Sequence, residues 1–166
     1  MLTVLTYPHP HLSFVCTPVT EFGTQLLPTI QEMVATMIGR NGIGLSANQV
    51  GLTQRIFVME VHDTYQEYIN PEIIEASEEM IRNEGCLSFP GVRASVKRFN
   101  RIKIKAKTFM GNDIEEELTG RDAICFQHEL SHLDGITFFD QLSPLKKSML
   151  SKKISKLVQK QGRRPN

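Results

Sequence analysis

The segment "FQHELSHLDG", residues 126–135, constrains the fold of this chain more than any other. His128 and His132 are four residues apart, so on a helix both imidazoles project from one face a turn apart, with Glu129 beside them. That is a metal-ligand spacing with a base alongside. The helical reading is consistent over residues 121–134. Ala123, Phe126, Leu130 and Leu133 form one stripe, and Cys125, His128, Glu129 and His132 form another. The helix is expected from about Arg121 to Asp134, buried on two sides, with Gly135 as its cap.

A catalytic site of this kind needs a third protein ligand and one open position. The metzincin continuation would place a histidine at residue 138, where this chain has Phe138. Cys125 is too far back: an ion between the two histidines would lie ~7 Å further along the axis at about 1.5 Å per residue. The ligand must come from another part of the chain. In "NEGCLSFPG", Cys86 follows a glycine with wide backbone freedom and precedes a Pro-Gly turn, so a thiolate there can approach the helix. Cys16 has an apolar setting that suits packing, but spacing by itself does not separate the two.

The remaining patterns describe one α+β domain over residues 1–166. Apolar residues Leu26, Ile30, Met33, Val34, Met37 and Ile38 repeat at helical spacing and end at "GRNG". "RIFVMEV", "EYIN", "GVRASVKRF" and the alternating "RIKIKAKTF" are strands, antiparallel by their short connections, with "MGND" a hairpin turn. The expectation is antiparallel sheets packed around the central motif helix, followed by a C-terminal helix over 143–161 that opens at Ser143 and Pro144. "GIGLSA", with Glu60 and Asp63 downstream, imitates a dinucleotide fingerprint. Here, however, a helix precedes it and a strand follows, the reverse of what that fingerprint requires. What remains is a flexible turn that allows close backbone approach and leads to Gln49, whose amide can donate into a cleft.

At 40% hydrophobic and 22% charged the composition is that of a globular chain, with no membrane span. The start, "MLTVLTYPHPHLS", has neither the basic head nor the apolar run of a signal peptide, so the cytoplasm is the expected compartment. Three cysteines at unrelated spacings make no disulfide framework.

Together and in this order, "GIGLSANQ", "EGCLS" and "QHELSHLDG" resemble the three signature motifs of the peptide deformylases, and the similarity runs from "YPHPHL" to "LSPLKK". The resemblance implies a monomeric, metal-dependent hydrolase that removes the N-formyl group from the initiator formyl-methionine of nascent polypeptides and releases formate. It implies that Cys86, His128 and His132 hold one divalent metal ion, usually Fe²⁺ in this family, with Zn²⁺, Ni²⁺ or Co²⁺ able to substitute. Glu129 is then the acid/base, and Gln49 with the Leu87 N–H receives the carbonyl oxygen. Substrate contacts are expected from Ile43, Gly44, Gly85 and Arg93, and from Arg121, Ile124 and Cys125 on the motif helix.

Three positions depart from the common pattern: Ser46 for alanine, Ser131 for aspartate, and Arg121 where an apolar pocket wall is usual. Arg121 can still pack its stem and place its head in solvent. From Ser143 to Asn166 there are eight Lys or Arg and no Asp or Glu. Beyond an apolar stripe of Leu145, Met149, Ile154, Leu157 and Val158, that charge suits ribosomal RNA phosphates, although a solvated helix face would carry the same pattern. Two other functions fit parts of the chain. A metallopeptidase would also use Glu129 but would cleave internal bonds. A metal-stabilised nucleic-acid module would leave Glu129 without a purpose.

Overall fold

Strict alternation of apolar and charged residues builds the longest regular surface of the chain. Strand β4 (Arg93–Lys107) buries Ala94, Val96, Ile102, Ile104 and Ala106 and exposes Lys97, Lys103 and Lys105. The computed structural model describes residues 1–162 and places β4 beside β3 (Thr64–Gly85) and β5 (Asp113–Thr119). With β1 (Gly44–Ser46) and β2 (Ile56–Val61), these strands make one antiparallel sheet whose order is the order of the chain. The expected antiparallel strands therefore join in a single sheet.

Two parts of it depart from the sequence reading. The glycine turn contains β1, a three-residue strand paired through Gly44–Met59, Leu45–Val58 and Ser46–Phe57. The acidic stretch after "EYIN" continues as strand, so β3 reaches Gly85, with register shifts between Ile69 and Glu72 and between Ile73 and Glu75. Most of residues 72–83 are exposed, so no alternation marks them as strand. Their cross-strand ion pairs, such as Glu79–Lys97 at 3.4 Å and Glu75–Lys103 at 3.0 Å, are exposed and each contributes little.

Helix α1 (Leu27–Gly39) and helix α2 (Gly120–Leu133) complete the main core. Phe126 of α2 meets Phe57 and Tyr68 edge-on, with ring centroids 5.0 and 5.1 Å apart. Gln127 ties the same helix to β4: its amide donates to the Phe99 carbonyl at 2.7 Å and accepts from the Phe99 N–H at 2.9 Å. The end of α2 is closed as the glycine suggested. Gly135 N–H donates to the His132 carbonyl and Ile136 N–H to that of Ser131, a Schellman arrangement with Gly135 at φ +72°. Arg55 donates to the Leu133 carbonyl and pairs with Asp134 at 2.8 Å, placing a cation at the negative end of the helix.

Helix α3 (Pro144–Gly162) covers a second apolar cluster containing Phe89, Val92, Val96, Phe138 and Leu142. Ser143 accepts from the Lys146 N–H at 3.3 Å, as expected of a cap. The stripe differs from the one read in the sequence. Leu150, Ile154 and Leu157, spaced i, i+4, i+7, face the cluster, whereas Leu145, Met149 and Val158 are exposed. Helical apolar residues on this segment exceed what one face can hold, so spacing alone did not select the buried set. Arg163 and Arg164 of the basic tail lie outside the described residues.

A methyl group at Gly135 would stand 2.5 Å from the Ser13 carbonyl oxygen, while one at Gly51, also left-handed at φ +81°, would meet nothing within 4 Å. Gly51→Ala should therefore cost only backbone strain, about 1 kcal/mol, and Gly135→Ala a further 1 to 2 kcal/mol, read from urea unfolding.

Candidate active site

Two motif histidines and one loop cysteine converge. Cys86 begins the connection from β3 to β4, and its Sγ lies 3.3 Å from His132 Nε2, which lies 3.1 Å from His128 Nε2. All three ligand atoms fall within 4.8 Å of one another. A tetrahedral ion with bonds of 2.0–2.3 Å has ligand-to-ligand edges of about 3.3–3.8 Å, so the donor set fits a divalent metal. The spacing question over cysteines is answered by placement. Cys16 is buried in the main core with its thiol raised by burial to about 11, away from the histidines.

His128 is held from behind. His128 Nδ1 lies 2.8 Å from Glu84 Oε2, which leaves Nε2 free to face the sulfur. Glu84 in turn accepts two bonds from Arg98, at 2.7 and 3.0 Å, with both side chains almost fully buried. The buried arginine occupies an inward position of β4, a place the strand pattern otherwise gives to apolar side chains. Asn48 donates to the His132 carbonyl and to that of Phe14 at 3.3 Å, fixing the helix turn that carries the second histidine. None of Glu84, Arg98 or Asn48 was singled out in the sequence. The signal for Glu84 was there, since a ligating imidazole needs an acceptor for its second nitrogen and Glu84 stands two residues before Cys86.

Glu129 is buried beside this cluster. Its Oε2 lies 2.7 Å from the Ser46 hydroxyl, which also lies 2.8 Å from the Glu129 carbonyl. The Ser46 hydroxyl thus grips the carboxylate of the motif. Burial raises the Glu129 carboxyl above the usual range, against the lowering pull of His128 and of the Ser46 hydroxyl. Gly44 has no room for a side chain, because a methyl there would collide with Glu129 Oε1. Gln49 has its amide orientation set: Oε1 accepts from the Ser46 N–H at 2.9 Å, so Nε2 points to Ser88 Oγ at 3.1 Å and to Cys86 Sγ at 3.6 Å. The Leu87 N–H has no hydrogen-bond acceptor among the described residues. Ser131 turns its hydroxyl back to the Gln127 carbonyl at 2.9 Å and needs no outside partner.

A cleft of about 940 Å³ opens over the cluster. Ile43, Gly44, Gln49, Gly85, Cys86 and Leu87 line it, as do Arg93, Arg121, Ile124, Cys125, His128 and Glu129. Of the residues expected at the site only His132 is absent from the lining, because it sits behind the others at 1% exposure. Arg121 places its head outward, 3.4 Å from Glu60.

A sequence model of the polypeptide deformylases matches residues 1–148. The chain belongs to the polypeptide deformylase family. The peptide deformylase of Thermotoga maritima is 43% identical over 155 residues, which cover 93% of this chain and 94% of that one. Peptide deformylase 1 of Shewanella oneidensis is 39% identical over 166 residues, covering 98% and 99%. The crystal structure of a Legionella pneumophila peptide deformylase superposes with a TM-score of 0.93 at 34% identity over 99% of both chains. This family's activity is metal-dependent removal of the N-formyl group from nascent polypeptides, and this chain is an enzyme of that kind.

The Glu84 network generates a test. Burial by itself would raise the Glu84 carboxyl, but His128 and Arg98 outweigh it and hold the group below the usual carboxylate range. A depressed carboxylate adds stability that is complete above its unfolded pKa, about 4.3, and is lost as pH falls through the folded value. Glu84→Gln should cost roughly 3 kcal/mol at pH 7, because Arg98 is left buried without its partner. That gap should narrow below about pH 4.3 in urea titrations. Metal affinity, measured against a competing chelator, should fall about 10- to 100-fold.

Proposed function

We propose that Cys86, His128 and His132 hold one divalent ion, that Glu129 moves the proton, and that Gln49 with the Leu87 N–H receives the formyl oxygen. The observation that carries this reading is the convergence of a sulfur and two Nε2 atoms within 4.8 Å beside a buried carboxylate. A divalent ion in that position acts as a Lewis acid and brings the pKa of water from 15.7 to about 7.

The remaining work belongs to the chain. Glu129, with a raised pKa, takes the proton of the attacking water and delivers it to the departing amine nitrogen. As charge builds on the formyl oxygen, Gln49 Nε2 and the Leu87 N–H donate hydrogen bonds to it. The Gln49 side chain is already oriented, because the Ser46 N–H holds its Oε1 and Ser88 its Nε2. The methionine side chain lies along Ile43, Ile124 and Cys125, with Gly44 and Gly85 letting the substrate backbone approach. Arg93 and Arg121 flank the exit. Every group the reaction uses comes from this one chain, which supports a monomeric enzyme. The cytoplasm is where formylated nascent chains arise, which supports that compartment.

One thiolate and two neutral imidazoles leave a divalent ion at net charge +1. We assign Fe²⁺ as the working ion. Zn²⁺, Co²⁺ and Ni²⁺ all stand above iron in the affinity order and can replace it. Oxidation of the iron and of the Cys86 sulfur would make the enzyme air-sensitive.

The basic helix α3 is assigned to ribosome docking. Lys146, Lys152, Lys153, Lys156 and Lys160 are exposed along it, while its apolar residues Leu150, Ile154 and Leu157 are engaged with the domain. Binding through those lysines would be sequence-independent and salt-sensitive. Because deletion of the helix would also uncover Phe89 and Val92, substitution of the five lysines by glutamine is the cleaner test. Ribosome co-sedimentation at low salt should be lost while turnover of a short formyl peptide persists; retained co-sedimentation refutes the assignment.

The site is tested by formate release from a formyl-methionyl peptide after anaerobic loading with Fe²⁺. Cys86→Ala should lose both metal and turnover, and Cys16→Ala neither. Glu129→Ala should keep the metal and lose at least about 10²-fold in kcat. Loss of metal along with turnover in the Glu129 variant would make that residue a ligand and overturn the proposed proton transfer.

A further inference from the structure

The floor of the cleft is buried and its mouth is not. Glu84, Gln49, Glu129 and His128 form the inner end, whereas the exposed members of the lining include four arginines: Arg40, Arg82, Arg93 and Arg121. They come from four separate elements, the end of α1, β3, β4 and the start of α2, so no single amphipathic face explains their meeting.

Their charge is little compensated. Arg40 and Arg82 form no ion pair and no side-chain hydrogen bond among the described residues. Arg93 is oriented by neutral groups alone: its Nε donates to Asn83 Oδ1 and its Nη2 to the Asn83 carbonyl, both at 2.8 Å. Its remaining nitrogen, Nη1, lies 3.1 Å from where a methyl group on Gly85 would sit, so a side chain there would crowd it. Only Arg121 has a carboxylate, Glu60, at 3.4 Å. The carboxylates that line the cleft, Glu84 and Glu129, are buried and already held by Arg98 with His128 and by Ser46.

We propose that these guanidinium groups at the cleft make the enzyme select nascent chains with acidic side chains at the second to fourth positions, immediately after the formyl-methionine. This rests on the deformylase reading of the same site. With the formyl group at the inner end, the following residues must leave through the mouth. An extended chain advances about 3.3 Å per residue, so two or three residues pass the arginines before reaching open solvent. Aspartate or glutamate there meets up to three cations without competing protein carboxylates, and lysine meets like charge. Arginine is suited to this because its planar fork binds a carboxylate through two parallel hydrogen bonds. The contacts lie at a solvent-exposed rim, so their effect should be moderate and screened by salt.

The experiment compares kcat/KM of the Fe²⁺-loaded enzyme on formyl-Met tripeptides and tetrapeptides with Asp, Ser or Lys at each following position. The peptides are amidated at the C-terminus so that no terminal carboxylate competes. At low salt the acidic series should exceed the lysine series by roughly tenfold, and about 0.5 M salt should reduce this to two- or threefold. In the Arg40→Ser, Arg82→Ser double variant the ratio should fall severalfold, chiefly through KM. Equal turnover of the two series by the wild type overturns the proposal, as does an unchanged ratio in the double variant. So does a finding that the two arginines affect only ribosome binding. Absence of formate from the neutral serine peptides is a different result, which would overturn the deformylase reading itself.

Discussion

The rest of the site depends on the bond between a buried carboxylate, Glu84, and the back of the His128 imidazole. An unpaired carboxylate in this position would be too costly to keep ionised, and an unpinned imidazole would offer its nitrogens indifferently. Arg98 meets the first requirement and Glu84 the second, within one chain of contacts from β4 through β3 to α2. The same strand pair that carries Arg98 and Glu84 runs on into the turn that presents Cys86. Sheet register and ligand geometry are therefore one constraint: a one-residue slip of β3 against β4 would turn Glu84 away from His128 and shift the sulfur with it.

This arrangement explains how two kinds of acidic group coexist a few ångströms from each other. Glu84 is held ionised by a cation and an imidazole, while at Glu129 burial outweighs the pull of His128, the Ser46 hydroxyl and Arg98, and the group is pushed up. The surroundings keep one as a fixed charge and leave the other suited to the proton transfer proposed for it. Ser46 adds a further tie, since its hydroxyl lies between the Glu129 carboxylate and the backbone carbonyl of the same residue.

Much of this was legible in the sequence where one residue type had one physical use. The i, i+4 histidines, the left-handed Gly135 and the alternation of "RIKIKAKTF" each demanded a local geometry, and each is found. The parts that were not legible lack such a demand. The outer half of β3 is exposed on both faces and shows no period; β1 is three residues long and hides in a glycine turn; α3 carries more apolar residues than one face can bury. Glu84 and Arg98 were missed for another reason. Their partners are 44 and 14 residues from Glu84 along the chain, and their burial as a pair is created only by strand pairing. The turn around Cys86 and the apolar setting of Cys16 favoured the first as the facing thiol, but spacing alone did not separate them; the fold puts one against the histidines and the other in the core.

The central claim is that one sulfur and two imidazole nitrogens of this chain bind a single ion. X-ray absorption at the zinc edge of the zinc-substituted protein tests it most directly. The account predicts one sulfur at about 2.3 Å and two imidazole nitrogens at about 2.0–2.1 Å, with the sulfur absent in Cys86→Ser. A shell of nitrogen and oxygen alone in the unaltered protein, or a sulfur that survives the Cys86 substitution, would contradict it.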